Sequence, residues 1–173
     1  MINEIVEIFI SLTDALESDL TYTTGGDANW YWAMDGTRDC TSSGEIDDAE
    51  MESWMQTTVQ GAGTVTFEWK VYSDENEYLE FYIDGQFKCE IYGEETWQQK
   101  SYPVTGQGSH TLKRRFYTSD ESSGGGCGWV DDVQWSGSPE QVPDPSKWDN
   151  ITYKPERIGI CIFRHEFTLF LNC

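Results

Sequence analysis

The stretch "TVTFEWKVYSDENEYLEFYIDG" at residues 64–85 decides the fold, because its side chains alternate between apolar and polar. The apolar members of the two alternating runs are Val65, Phe67, Trp69 and Val71, then Leu79, Phe81 and Ile83. A period of two is typical of half-buried antiparallel strands, with one face on the core and one in water. The Asp-Gly pair at 84–85 adds the signal of a tight hairpin.

The same organisation extends on both sides of this stretch. Turn clusters rich in glycine, serine and acidic residues recur at 61–63, 73–77, 84–85, 93–95, 106–108 and 122–126. No long helical pattern separates them. Short strands at such spacing predict an all-β protein, an antiparallel β-sandwich of the jelly-roll type.

The chain divides into three parts by composition. Residues 1–10 are a short apolar and acidic leader, and residues 11–137 hold the strand pattern. A linker rich in proline and serine begins at about residue 138, and such a linker marks a domain edge. Residues 138–173 are therefore expected to be a linker and an irregular tail, either the truncated start of a next domain or a last strand of the sandwich.

Charge and composition exclude several function classes. The 173 residues include 31 acidic and 11 basic ones, for a net charge of −20. Such a surface repels phosphate backbones, so nucleic acid is not an expected partner. No stretch approaches the roughly 20 apolar residues of a membrane helix, and the N-terminus does not resemble a signal peptide. We expect a piece of a larger exported protein.

The segment "GWVDDVQW" at 128–135 breaks the alternation, because Val130 and Val133 are three residues apart. A β-bulge at Asp131–Asp132 would return both valines to the core. Two adjacent carboxylates at the edge of a core favour a bound hard cation, and carboxylate and carbonyl oxygens suit Ca²⁺. Two solvent-facing aspartates on an edge strand are the simpler alternative.

Six stretches in this order resemble the bacterial MAM-like modules, over residues 11–137. They are "ALES.LTYTTGGDANW", "SGEIDDAEMESWMQTTVQGAGTVTFEWKV", "YLEFYIDG", "WQQKSYPV", "GSHTLKRRFY" and "GWVDDVQW". MAM-like modules are jelly rolls related in shape to laminin-G domains and carbohydrate-binding modules. The resemblance implies a non-catalytic recognition or adhesion module of a secreted or cell-surface protein; a carbohydrate-binding module and a structural spacer are the alternatives.

The resemblance also implies a structural Ca²⁺ that joins the first strand to the last. Glu17 matches the acidic residue that closes the first strand, and Asp131 matches the first aspartate of the pair. Carbonyl groups near Ser43 and Gly44 would complete the ligand shell. Asp47 and Asp48 are further candidate ligands.

Five cysteines leave at least one unpaired, and their spacing argues against zinc. In an exported module a Cys40–Cys127 disulfide would tie the loop around Cys40 to the glycine-rich loop before the last strand. Cys89 is expected to be a buried free thiol, while Cys161 and Cys173 lie in the tail.

Aromatic residues are the candidate ligand platform, because sugar rings stack their C–H faces on exposed aromatic rings. Trp69, Phe67, Phe81 and Trp129 suit the core. A glycan or an extracellular protein is the expected partner, and the candidate contact residues are Trp30, Tyr31, Trp32, Tyr82 and Trp97. A purely structural or protein-binding role for these rings stays open.

Arg114 lies on the same predicted strand face as Leu112 and Phe116. Its guanidinium must find a carboxylate, stack on an aromatic ring or reach the surface. We favour an acidic partner. Catalysis gains no support, because His110 has no evident Ser or Cys nucleophile placed to use it. The expectation is a binding protein and not an enzyme.

Overall fold

The computed structural model describes residues 10–74, 76–119 and 125–137, all within the first of two units into which the chain divides, Met1–Glu140. One short helix, α1 (Leu12–Ala15), precedes ten strands. The strands are β1 (Tyr22–Gly26), β2 (Tyr31–Asp35), β3 (Arg38–Ser42), β4 (Glu52–Gln60), β5 (Gly63–Tyr72), β6 (Glu77–Ile83), β7 (Gln86–Ile91), β8 (Glu94–Val104), β9 (Ser109–Thr118) and β10 (Cys127–Trp135). In these described ranges no helix is long and apolar enough to cross a membrane.

Two five-stranded antiparallel sheets make up the sandwich. Sheet A has the order β1-β4-β9-β6-β7, and sheet B has the order β2-β3-β10-β5-β8. Consecutive strands therefore alternate between the sheets at several points, as a jelly roll requires. The predicted all-β jelly-roll sandwich is confirmed.

The core lies between the two sheets, on the faces that the alternation predicts. The inward side chains of β5 and β6 are almost fully buried, and they are Val65, Phe67, Trp69, Val71, Leu79, Phe81 and Ile83. The hairpin between β6 and β7 turns at Asp84–Gly85, where both residues have positive φ, of 52° and 73°. Positive φ at both central residues is the geometry that an Asp-Gly pair favours.

The predicted bulge in β10 is confirmed. The register between β10 and β5 shifts between Asp131 and Gln134, and Asp132 has a φ of 47°. Val130 and Val133 are both fully buried as a result. Trp129, which we placed in the core, lies instead on the outer face of sheet B, opposite Lys70. Its neighbour Val130 takes the inward position, and adjacent residues of a strand face opposite ways.

The structure does not form the predicted disulfide, since Cys40 and Cys127 are both free. Trp129 pairs with Ser42 and Val130 pairs with Thr41, so Cys40 is opposite Asp131. Cys127 lies four residues away along the same ladder, or about 13 Å at the usual rise of a strand. A disulfide needs Cα atoms less than about 7 Å apart. Cys89 is free as predicted, but it is only half-buried. Cys161 and Cys173 lie outside the described residues.

Arg114 is fully buried in the core and has no acidic partner among the residues that the structure describes, so our favoured expectation was wrong. Its guanidinium carbon lies 4.4 Å from the ring centroid of Phe67 and 5.0 Å from that of Phe81. None of its three nitrogens has a hydrogen-bond partner. Burial lowers the pKa of Arg114 to about 10, although the charges of Tyr22 and Cys89 act in the opposite direction.

Candidate ligand-binding face

The outer face of sheet A carries a band of aromatic side chains around a cluster of charges. We call it the aromatic face. The register places its members side by side across four neighbouring strands. Its aromatic residues are Trp54, Tyr117, Tyr78, Tyr82 and Phe87, and its central charged residues are Glu52, Lys113, Arg115 and Glu80.

Trp54 lies flat on the sheet because its neighbour on β1 is a glycine. Gly25 pairs with Trp54, and a Cβ at Gly25 would lie 2.5 Å from Cζ2 of the indole. The ring therefore occupies the space that any other side chain would fill. Lys113 lies above the indole, with its Nζ 5.2 Å from the ring centroid. The partly buried indole therefore has the backbone of β1 and a cation as its neighbours.

Arg115 organises the centre of the aromatic face. Its Nε donates to Glu80 at 2.6 Å, its Nη1 donates to Glu52 at 3.2 Å, and its Nη2 donates to the hydroxyl of Tyr82 at 3.0 Å. The guanidinium also stacks on Tyr117, 4.5 Å from the ring centroid. The four side chains around Arg115 are thus held in fixed orientations. Such order lowers the entropic cost of binding a ligand.

The pKa values on this face follow from the same contacts. Burial lowers the pKa of Arg115, but the hydrogen bond and charge of Glu80, together with Glu52, raise it above its ordinary value. Burial and the adjacent Glu80 carboxylate also raise the pKa of Tyr82. The guanidinium therefore stays charged and the phenol stays protonated at neutral pH, so the face offers both donors and acceptors.

A polar groove adjoins the aromatic face at the β1–β4 edge. Its volume is about 440 Å³, and its lining combines hydroxyl, amide and carboxylate groups from Asp19, Leu20, Thr21, Thr23, Gln56, Thr57 and Thr58. Gln56 pairs with Lys113 on β9, which pairs with Tyr82 on β6. A continuous path of hydrogen-bonding groups and rings therefore crosses sheet A.

The outer face of sheet B holds a second charged cluster, and it includes the predicted metal ligand Asp131. Arg38 donates from Nε to Asp131 and from Nη2 to Glu68, each at 2.5 Å, while its guanidinium stacks 4.0 Å above Trp97. Asp35 accepts from Trp97 Nε1 at 2.7 Å, and Lys70 Nζ lies 2.8 Å away from the same oxygen. The hydrogen bonds from Lys70 and Trp97 lower the pKa of Asp35. Both basic side chains of this cluster are therefore paired with carboxylates.

The five predicted ligand-binding residues do not form one surface. Trp30 is 3% exposed and packs in the core, because its neighbours on the sandwich cover it. Tyr31 and Trp32 are exposed on β2, Trp97 lies in the charged cluster of sheet B, and Tyr82 lies on the aromatic face of sheet A. Only Tyr82 coincides with the site that the structure assembles.

The six predicted calcium ligands are similarly dispersed. Leu16 O accepts from Val133 N and Glu17 O accepts from Gln134 Nε2, so α1 does meet the last strand. Ser43, however, is hydrogen-bonded to Gly128. Gly128 lies five residues before Val133 on β10, a separation of about 16 Å at the usual rise of a strand.

The other predicted ligands have different surroundings. The Oδ2 atom of Asp131 accepts from Arg38, and Asp47 and Asp48 are exposed on the loop after β3. Gly44 is buried in the same loop. Among the described residues no group of three or more His, Cys, Asp or Glu side chains could hold a metal ion. The binding of Ca²⁺ by the six residues stays a prediction.

Sequence reasoning missed most of the aromatic face. Trp54 and Tyr117 lie on outward positions of β4 and β9, and Arg115 comes one residue after the buried Arg114. The alternation of β4 around buried Met55 was the available signal for Trp54. Which strands are neighbours was not visible, and that order creates the cluster.

Comparison with solved structures supports the fold. VesC, a secreted serine protease from Vibrio cholerae, matches with a TM-score of 0.54 and 19% identity over 72% of this chain and 26% of VesC. The chain thus spans about a quarter of VesC. No family model and no curated protein match the sequence, so the resemblance to MAM-like modules stays a prediction.

Two further structures overlap less well. The K3 adhesin domain of Lys-gingipain from Porphyromonas gingivalis has a TM-score of 0.49 and 17% identity over 68% of this chain and 91% of that domain. TmCBM61, solved with β-1,4-galactotriose, has a TM-score of 0.48 and 10% identity over 68% of this chain and 88% of its own. At this overlap neither bears on the function of this protein.

Proposed function

We propose that this protein is a non-catalytic binding module that recognises glycans through the aromatic face of sheet A. The observation that carries the proposal is the platform of Trp54 and Tyr82 around the Arg115 network, next to a polar groove. Ligand sites combine apolar or aromatic surface with a few fixed polar groups. The aromatic face has this composition.

The chemistry suits a carbohydrate. Aromatic rings bind the C–H faces of a pyranose, while carboxylates, amides and hydroxyls bond its hydroxyl groups. Glu52, Glu80 and Gln56 supply acceptors, and Arg115 and Lys113 supply donors.

Three other parts of the proposal come from the sequence. The MAM-like resemblance favours a module of a larger secreted or cell-surface protein, and in that setting an extracellular protein is the second candidate partner. The exposed Tyr31 and Trp32 on β2 support that second candidate, because they lie away from the aromatic face. Stabilisation by Ca²⁺ also belongs to the proposal.

A glycan array with the intact chain tests the proposal. Trp54→Ala and Tyr82→Ala should each lose at least ten-fold in affinity for the glycan that the native protein binds. Trp32→Ala is the matched control, since it removes an exposed tryptophan from sheet B, and its affinity should be unchanged. Silence of the native protein on plant, microbial and host glycans would remove the glycan proposal. Loss of binding in Trp32→Ala alone would move the site to β2.

A further inference from the structure

Glu77, the first residue of β6, carries a carboxylate that is buried and half unpartnered. The residue is 1% exposed, and its Oε2 accepts one hydrogen bond, from Asp74 N at 3.0 Å. Its Oε1 is buried without a hydrogen-bond partner, and within the described residues no basic side chain pairs with it. A buried carboxylate with so little compensation is costly. A cation next to Oε1 would offset this cost of burial.

The surroundings of Glu77 are rich in oxygen atoms. Thr118 pairs with Glu77 from β9 and is also fully buried. Paired residues on one face of a sheet have adjacent side chains. The Thr118 hydroxyl donates to the carbonyl of Asp48, and its amide donates to the carbonyl of Met51. Ser73 Oγ donates to the carbonyl of Glu77 at 3.0 Å. Two carbonyls and two hydroxyls thus lie at this end of the sandwich.

The start of β10 closes the site from the opposite sheet. A Cβ at Gly126 would overlap the Glu77 carboxylate, so only glycine allows this approach. Burial raises the pKa of the neighbouring Cys127 to about 11, and the Glu77 charge is one of the further causes. The carboxylate is therefore enclosed between β6 and β10.

We propose that Glu77 binds a hard divalent cation, Ca²⁺, with main-chain carbonyl, hydroxyl and water oxygens as the other ligands. Calcium accepts six to eight such oxygens in irregular geometry. With one carboxylate, the affinity should fall in the weak range of extracellular modules, about 10⁻⁴ to 10⁻³ M. This site is distinct from the Glu17 and Asp131 positions, and it does not rest on glycan binding.

Thermal melting of the full chain tests the site. After dialysis against EDTA, addition of 10 mM Ca²⁺ should raise the melting temperature of the native protein by several degrees. Glu77→Gln should abolish this rise, and in EDTA it should melt at or above the native temperature because the buried charge is gone. Glu80→Gln is the matched control, a buried glutamate of the same strand that is paired with Arg115, and it should keep the rise.

Two results would overturn the proposal. The native protein could show no rise with Ca²⁺, or Glu77→Gln could retain it, which would place the ion elsewhere. If Glu77→Gln does not fold, a Ca²⁺ titration of the native protein by amide NMR decides the matter. Shifts should centre on the amides of Asp74 and Gly126, and shifts centred on Glu17 or Asp131 would contradict the assignment.

Discussion

Replacing Arg114 by methionine should stabilise the protein. Methionine keeps the length and apolar packing of the side chain between Phe67 and Phe81 but removes the charge. The three guanidinium nitrogens of Arg114 are buried without a hydrogen-bond partner, so only the stacking on the two phenylalanine rings offsets their loss of water. Arg115 offers a matched comparison, because its charge is fully paired on the aromatic face.

The size of the expected gain in stability follows from the burial of the Arg114 charge. A pKa lowered from 12.5 to about 10 corresponds to roughly 3 kcal/mol against the charged form. Stacking on the rings of Phe67 and Phe81 returns about 2 kcal/mol, and sulfur–aromatic contacts of a methionine replace about half of that. The net gain of Arg114→Met is therefore about 2 kcal/mol, or a rise of about 8 °C in melting temperature. Arg115→Met should lose about 2 kcal/mol instead.

Urea unfolding at pH 7, followed by tryptophan fluorescence, measures both variants. Arg114→Met should shift the midpoint upward with an unchanged m-value, while Arg115→Met should shift it downward. A loss of more than 1 kcal/mol in Arg114→Met would refute the reasoning, because the guanidinium would then be a net stabiliser of the core.

Two further predictions concern carboxylates. Asp131→Asn should lose about 2 kcal/mol of stability equally in EDTA and in Ca²⁺, because it breaks the bond to Arg38; a loss confined to Ca²⁺ would instead identify Asp131 as a metal ligand. Hydrogen bonds from His110 and from the Thr111 amide lower the folded-state pKa of Asp84 below its ordinary value of 3.8. The stability that Asp84 contributes is therefore fully present above pH 3.8 and is lost as the pH falls through the folded-state pKa. Asp84→Asn should thus cost about 0.5 kcal/mol at pH 7, after solvent screening, and progressively less as the pH falls below 3.8; a difference that stays constant from neutral to acid pH in urea titrations would contradict this assignment.

The sequence predicts the sandwich well where its pattern is local. Alternation in β5 and β6 assigns every inward apolar residue correctly, and the Asp-Gly turn and the bulge at Asp131 are visible as short signals. Trp129 shows where assignment of inward and outward residues from a local pattern fails. It stands beside Val130, both are apolar, and only the register with β5 decides which of them faces the core.

The candidate site depends on strand order, which no local pattern contains. Glu52, Glu80 and Arg115 are far apart in the chain, and they meet because β9 lies between β4 and β6. Tyr82 alone was identified, since a tyrosine at an outward position of an alternating strand is visible without knowledge of the neighbours. The predicted calcium ligands and the two cysteines of the predicted disulfide lie apart for the same reason. We inferred that their loops were close without knowing the register of β3 and β10.

The central claim is that the outer face of sheet A binds the ligand, and NMR mapping tests it most directly. The ¹⁵N-labelled protein is titrated with the oligosaccharide that scores highest on the array, and the indole and backbone amide shifts are followed. The largest shifts are expected on Trp54, Tyr82, Arg115 and Tyr117, and the resonances of Trp32 and Trp97 should not move. Shifts concentrated on Tyr31, Trp32 or Trp97 would contradict it.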